Sequence, residues 1–273
     1  MVRYCEIGLK STPVRRRFET ILRNNMLIML ASEGVEALVS YADARFYIES
    51  DEVDRCVEAV KKVFGIASLS VTEVCSSDMD DICSTVADYS VGRLKEGDTF
   101  ALKVRREGSQ PYSSVDVGRE AGSAVFERNE HLGVTVDLTD PDHTFYVEIR
   151  NNKAYVFDEY VPCPGGLPLS SQGRVIVSLD TERDAVSAWM MMKRGCKVIV
   201  SGDCCVDLIR EYDPTLRIDV DDKDKLGIIK GTFIDDIDKV DVSQYDVPVY
   251  FPTIAMSDDE VGELLESIRA HSF

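Results

Sequence analysis

RYCEIGLKSTPVRRRFETILRNN, residues 3–25, carries the first strand and the first long helix of the chain and sets its organisation. Residues 2–8 alternate well enough for a strand. Ser11 and Thr12 are helix-cap candidates, and Pro13 sits where the first turn of a helix tolerates a missing N–H. Phe18, Ile21, Leu22, Met26 and Met29 then fall on one side of a helix that is expected to run to about residue 31. Arg15, Arg16 and Arg17 cover its early turns. Residues 35–40 and 44–48 read as an antiparallel pair and residues 52–64 as a second helix, an order β-α-β-β-α that a small ferredoxin-like unit would give.

From residue 67 the pattern restarts with an apolar strand to residue 74, a helix over 79–94 and a strand over 99–106. A helix over 114–129, a short strand over 134–138 and two strands over 143–149 and 153–159 follow. Asn151 and Asn152 join the last two, and both tolerate positive φ. Residues 162–173 are rich in Pro, Gly and Ser and read as a linker. Beyond them short apolar strands alternate with helices, the pattern of a parallel α/β sheet.

The chain is that of an ordinary globular protein: 44% of its 273 residues are hydrophobic and 29% charged, and no apolar stretch is long enough to span a bilayer. No signal segment is read at its start, so the expected compartment is the cytoplasm with no membrane partner. The eight cysteines form no C-x-x-C pair, which argues against a zinc or thioredoxin-like site. Adjacent Cys204 and Cys205 are the least ordinary of them. A net charge of −18 excludes indiscriminate nucleic-acid binding, yet the charge is uneven. Residues 201–273 hold 7 Lys and Arg against 18 Asp and Glu, whereas bases clump at Lys10, Arg15, Arg16, Arg17 and Arg23 and again at Lys103, Arg105 and Arg106. A division between a basic, RNA-facing front and an acidic tail fits this pattern, and so does a generally acidic, soluble surface.

The opening stretch is similar to the start of the tRNA 4-thiouridine synthases, or tRNA sulfurtransferases, which show a Glu-Ile-x-Leu-Lys run followed by Arg and Phe on the next helix. VFGIASLSVTEV (63–74), VDLTDPDHTFYVEIRNNKAYVF (136–157), PGGLPLSSQGRVIV (164–177) and AWMMMKRGCKV (188–198) resemble later landmarks of that family in the same order. The resemblance covers most of residues 1–200. It implies an α/β and α+β multidomain protein: a ferredoxin-like unit over 1–52, a THUMP RNA-binding domain over 53–160, a linker over 161–174 and a short Rossmann-like, PP-loop-type parallel α/β domain over 175–273. It further implies that the first two parts hold tRNA at its acceptor end. In the family the last domain uses ATP to adenylate uridine 8, and a cysteine persulfide supplies the sulfur.

The nucleotide loop departs from that pattern. A PP-loop brings bare backbone N–H groups of a Ser-Gly-Gly-x-Asp-Ser turn to a pyrophosphate at a helix N-terminus. Counting back from residues 189–195, the matching positions hold Leu179, Asp180, Thr181, Glu182, Arg183 and Asp184, with no glycine and with Asp180 and Glu182 opposing a polyanion. ATP is therefore not an expected cofactor, and no catalytic, cofactor-binding or metal residue is assigned. No rhodanese-type domain is expected after the α/β segment.

The expected RNA contacts are Lys10, Arg15, Arg16 and Arg17 around the first helix, Lys103, Arg105 and Arg106 on a strand, and Arg119 on the next helix. Each of these is also what a solvated surface would carry. Tyr112 is either a base-stacking side chain or a packing plug. The resulting expectation is a tRNA-binding accessory or adaptor in tRNA modification that leans on a catalytic or sulfur-donor protein partner, with a homodimer possible in principle. The alternatives are an active sulfurtransferase with an atypical loop, and a protein-interaction scaffold.

Overall fold

The computed structural model describes all 273 residues, Met1–Phe273. The chain folds into two compact units, Met1–Leu69 with Val161–Phe273 and, between them in sequence, Ser70–Tyr160.

The first unit opens with β1 (Val2–Tyr4), α1 (Thr12–Ser32), β2 (Leu38–Ala42), β3 (Arg45–Glu49), α2 (Val53–Val60) and β4 (Ile66–Leu69). Pro13 lies in the first turn of α1, and Phe18, Leu22, Met26 and Met29 bury one stripe of it against the sheet. Gly34 follows at φ +65°, where a residue without Cβ is least strained. β2 and β3 pair from Leu38↔Glu49 to Ala42↔Arg45, with Asp43 and Ala44 between them both at positive φ, as a two-residue type I′ turn requires. β4 pairs with β1, and α2 adds Cys56, Ala59 and Val60 to the core that α1 fills. The ferredoxin-like part thus continues to Leu69, past the boundary expected after residue 52, because its sheet is incomplete without β4.

The second unit comprises β5 (Glu73–Ser76), α3 (Met79–Ser90), β6 (Thr99–Glu107), α4 (Ser114–Asn129), β7 (Thr135–Val136), β8 (His143–Arg150) and β9 (Lys153–Phe157). Its sheet runs β5-β9-β8-β6-β7, with β6 parallel to both of its neighbours. α4 begins at a capping box in which Ser113 and Asp116 satisfy each other's amides. Ile82 and Val86 of α3, Val117, Ala121 and Val125 of α4, and Phe100, Phe145 and Val147 of the strands form its core. Asn151, at φ +51°, turns the β8–β9 hairpin.

The chain re-enters the first unit with β10 (Val161–Pro162), which pairs with β4 and makes the sheet order β10-β4-β1-β3-β2. The segment expected as a linker is therefore built into the fold. Cys163 N–H donates to Ala67 O at 3.1 Å and Gly165 N–H to Ile66 O at 2.8 Å, and Leu167 and Leu169 are buried. Gly166, at φ +73°, passes so close to Lys193 that an added Cβ would lie 2.1 Å from its carbonyl oxygen. Glycine here permits close packing rather than flexibility.

β11 (Arg174–Leu179), α5 (Glu182–Lys193), β12 (Lys197–Gly202), α6 (Val206–Tyr212), β13 (Arg217–Ile218), β14 (Ile228–Ile229), β15 (Val249–Tyr250) and α7 (Asp258–Ala270) complete the first unit. Their sheet is parallel throughout in the order β13-β12-β11-β14-β15, so the strand order reverses between β11 and β14, where doubly wound folds bind ligands. Trp189 lies at the centre of the core, with Phe64 from the ferredoxin-like part against it at 5.4 Å between ring centroids and against Tyr212 at 5.5 Å.

Candidate nucleic-acid interface

The first turns of α1 sort the basic cluster into tied and free side chains. Arg15 Nε lies 3.6 Å from the carboxylate of Glu19, one helical turn on. Glu19 is buried and accepts Tyr4 Oη–H at 2.8 Å and Tyr41 Oη–H at 2.7 Å. Burial, with the bonds to Tyr41 and Glu19, pushes the Tyr4 phenol well above its ordinary range. Arg23 Nε donates to Val39 O at 3.3 Å. Lys10, just after the 3-10 turn Glu6–Leu9, and Arg16 and Arg17 are exposed and make no ion pair. The Tyr4–Glu19–Tyr41 cluster was not anticipated from the sequence; a glutamate on the apolar stripe of α1, one residue after Phe18, was the available signal.

In the second unit Lys103 and Arg105 are exposed at alternate positions of β6, on one face, and neither makes an ion pair. Arg106 points to the other face and holds the following loop, with Nη1 donating to Gly108 O at 3.2 Å and to Gln110 Oε1 at 3.1 Å. Arg119 is exposed on α4 but sits 2.9 Å from Glu120 and 3.8 Å from Asp116. Tyr112 donates to Ser77 O and packs against the core, which makes it a plug in this structure.

The turn after β11 occupies the position of a nucleotide loop. Thr181 Oγ1 accepts the Asp184 N–H, and Asp184 Oδ2 accepts Thr181 N–H at 3.0 Å and Thr181 Oγ1–H at 2.7 Å. Asp184 Oδ1 accepts the N–H of Gly231, just beyond β14, at 2.9 Å. A Cβ at Gly231 would lie 2.6 Å from the Asp184 nitrogen, so the chain after β14 presses directly on the head of α5. The two carboxylates expected to oppose a polyanion turn elsewhere: Asp180 accepts Ser178 Oγ–H at 2.9 Å and Glu182 pairs with Arg269 at 2.8 Å. The negative charge seated at the helix N-terminus is Asp184. Arg183 closes the turn from the side, donating to Thr253 O at 2.9 Å and Met256 O at 3.0 Å. Replacing Asp184 by Ala removes the N3 half of the capping box and leaves the Thr181 and Gly231 amides without their acceptor. A loss of about 2 kcal/mol is expected in urea unfolding followed by tryptophan fluorescence.

Cys204 and Cys205 follow β12 with their Sγ atoms 3.6 Å apart, Cys205 at φ +60°. Burial pushes the Cys204 thiol up to about 11, helped by the contact with Cys205 and the charges of Glu182 and Asp184. Its alkylation by iodoacetamide should therefore keep accelerating from pH 8 to beyond pH 10, as peptide mapping by mass spectrometry would record; a rate already saturated at pH 8 contradicts that environment. No group of three or more His, Cys, Asp or Glu is arranged to hold a metal, and no helix is long and apolar enough to cross a membrane.

Residues 1–70 match the ThiI ferredoxin-like domain and residues 76–159 the THUMP domain. With the parallel α/β sheet that follows, these matches define a THUMP-domain protein of the three-part build just described. A protein of Methanosarcina acetivorans named "Probable tRNA sulfurtransferase" is 42% identical over 202 residues, 72% of this chain and 49% of that one. Its counterpart of the same name in Methanocaldococcus jannaschii is 37% identical over 209 residues, 73% of this chain and 54% of the other. The chain is related to the tRNA sulfurtransferase family, and it spans about half the length of the curated relatives it matches. Among solved structures, PH1313 from Pyrococcus horikoshii superposes with a TM-score of 0.82 at 26% identity, covering 98% of each chain. A 4-thiouridine synthetase solved with RNA and bound ATP superposes with a TM-score of 0.80 at 21% identity, covering 99% of this chain and 84% of that one.

Proposed function

We propose that this chain binds tRNA at its acceptor end and serves tRNA thiolation as an accessory or adaptor, without carrying out the ATP-dependent step by itself. The observation that carries the first half is the set of exposed, unpaired cations Lys10, Arg16 and Arg17 at the head of α1, inside a domain of the ThiI ferredoxin-like type and on a chain whose net charge is −18. Free cations on an otherwise acidic molecule favour phosphate locally while the rest of the surface repels it. Lys103 and Arg105 form a second candidate set on the other unit.

The second half rests on Asp184. Its carboxylate sits buried at the head of α5, held by Thr181 N–H and Gly231 N–H, where its charge opposes a pyrophosphate, and no glycine lies between Leu179 and Asp184 to bring bare backbone to a ligand. In this reading the adenylating and sulfur-transferring chemistry comes from a partner protein.

Binding of the purified chain to intact tRNA and to tRNA trimmed of its 3′ end, at about 0.15 M salt, tests the proposal. Tight binding only to the intact form is the expected result; equal binding to both removes the acceptor end from the reading. Calorimetry with ATP is expected to give no heat of binding. A micromolar isotherm would instead favour an active sulfurtransferase with an altered loop.

A further inference from the structure

The sheet of the second unit is left open along one strand. β7 pairs with β6 only at Thr99↔Thr135 and Phe100↔Val136, so no strand lies on the outer edge of β6 from Ala101 to Glu107. The Phe100 carbonyl accepts the Asp137 N–H at 3.1 Å, which fixes the alternation: the backbone groups of Leu102 and Val104 also face that edge. Soluble proteins generally cover, twist or charge such an edge.

Beside the edge runs a groove of about 770 Å³ whose lining includes Leu102, Val104, Gly118, Gly122, Phe126 and Leu138. Its floor on α4 is bare backbone. A Cβ added at Gly118 would meet only Val104 Cγ2, at 3.8 Å, and one at Gly122 would meet nothing within 4 Å. Leu138 and Val115 on its rim are each 76% exposed, an apolar surface that a soluble protein seldom leaves uncovered without a use. On the opposite face of the same strand, Lys103 and Arg105 stand without ion-pair partners.

We propose that the β6 edge receives an extended, acidic segment of a partner protein. The added strand would hydrogen-bond to the backbone of Leu102 and Val104. Side chains alternate across a strand, so every second one would enter the groove over Gly118 and Gly122 and the others would face Lys103 and Arg105. The segment therefore alternates apolar residues with Asp or Glu. A second copy of β6 fits worse, because antiparallel pairing about Val104 sets Lys103 opposite Arg105. RNA fits the two cations but not the apolar groove. Giving Lys103 and Arg105 to a peptide leaves the RNA reading to α1, and neither reading needs the other.

The test is fluorescence anisotropy on the full chain with two synthetic peptides, one alternating valine with glutamate and one alternating valine with lysine. The glutamate peptide should bind, and its affinity should fall at least about tenfold in Gly122→Leu, which fills the groove, and in the double variant Lys103→Glu/Arg105→Glu. The charge reversal should also turn preference toward the lysine peptide. Gly122→Leu adds a good helix former into open space and should leave the circular dichroism unchanged; the double variant is at the surface and tests the idea independently of that fold. Failure of the glutamate peptide to bind, or equal affinity in both variants, overturns the proposal. So does a dimer in sedimentation that Gly122→Leu dissociates, or a single-stranded RNA oligonucleotide whose binding Gly122→Leu abolishes.

Discussion

Replacing Arg16 and Arg17 together by Ala is expected to weaken tRNA binding about thirtyfold at 0.15 M salt and to flatten its salt dependence by about 1.8. Each phosphate neutralised on a duplex contributes about 0.9 to the slope of log affinity against log salt, or roughly fivefold at that concentration. Both side chains are exposed and free of carboxylate neighbours, so two full contacts are available to lose. Adding Arg15→Ala should cost less than a further fivefold, because Glu19 already holds that guanidinium. Filter binding across a salt series measures affinity and slope together. An unchanged slope in the double variant would remove α1 from the interface, whatever happens to the affinity.

Truncating Phe64 to Ala should destabilise the first unit by about 3–5 kcal/mol. The ring is 1% exposed and packs against both Trp189 and Tyr212, whose own rings are 6.0 Å apart, so its removal leaves a cavity flanked by two rigid aromatics that collapse poorly. At about 2–4 °C per kcal/mol for a unit of this size, the melting temperature should fall by roughly 6–20 °C. Trp189 is the single tryptophan of the chain and belongs to that unit, so its fluorescence reports the transition selectively. Val117→Ala, in the core of the second unit, should leave the same signal where it was. A Phe64→Ala variant melting within a degree or two of the parent would mean that the two parts of the first unit do not share this core.

The long elements were legible because their patterns are local. Pro13 and the Phe18–Leu22–Met26–Met29 stripe mark α1 from residues alone, and α4 and the Asn-Asn hairpin are equally plain. The α/β part was legible in kind but not in length. Leu226 to Phe233 is apolar enough for a full strand, yet only Ile228–Ile229 enters the sheet, because Gly231 is drawn to Asp184 instead. Residues 161–174 misled for a different reason. Composition cannot distinguish a glycine that lets a chain move from one that leaves no room for a side chain beside a neighbouring carbonyl, and Gly166 is the second kind. In the site, charge and exposure of Lys10, Arg16 and Arg17 could be read in advance. The tethering of Arg15 by Glu19 and of Arg119 by Asp116 and Glu120 follows local helical spacing and was open to the same reading, whereas the contact of Tyr41 with Glu19 depends on the fold and was not.

Leu69 and Val161 are paired neighbours in one antiparallel ladder, although everything from Ser70 to Tyr160 lies between them in sequence. Topologically, the whole second unit takes the place of the turn in a two-strand hairpin. Its entry and exit are already held side by side by the sheet it leaves, so closing that span adds little chain entropy beyond what a short turn would. A module attached in this way can lengthen, shorten or diverge without shifting the register of either strand, and the ferredoxin-like and α/β parts can keep a common core however the module between them changes.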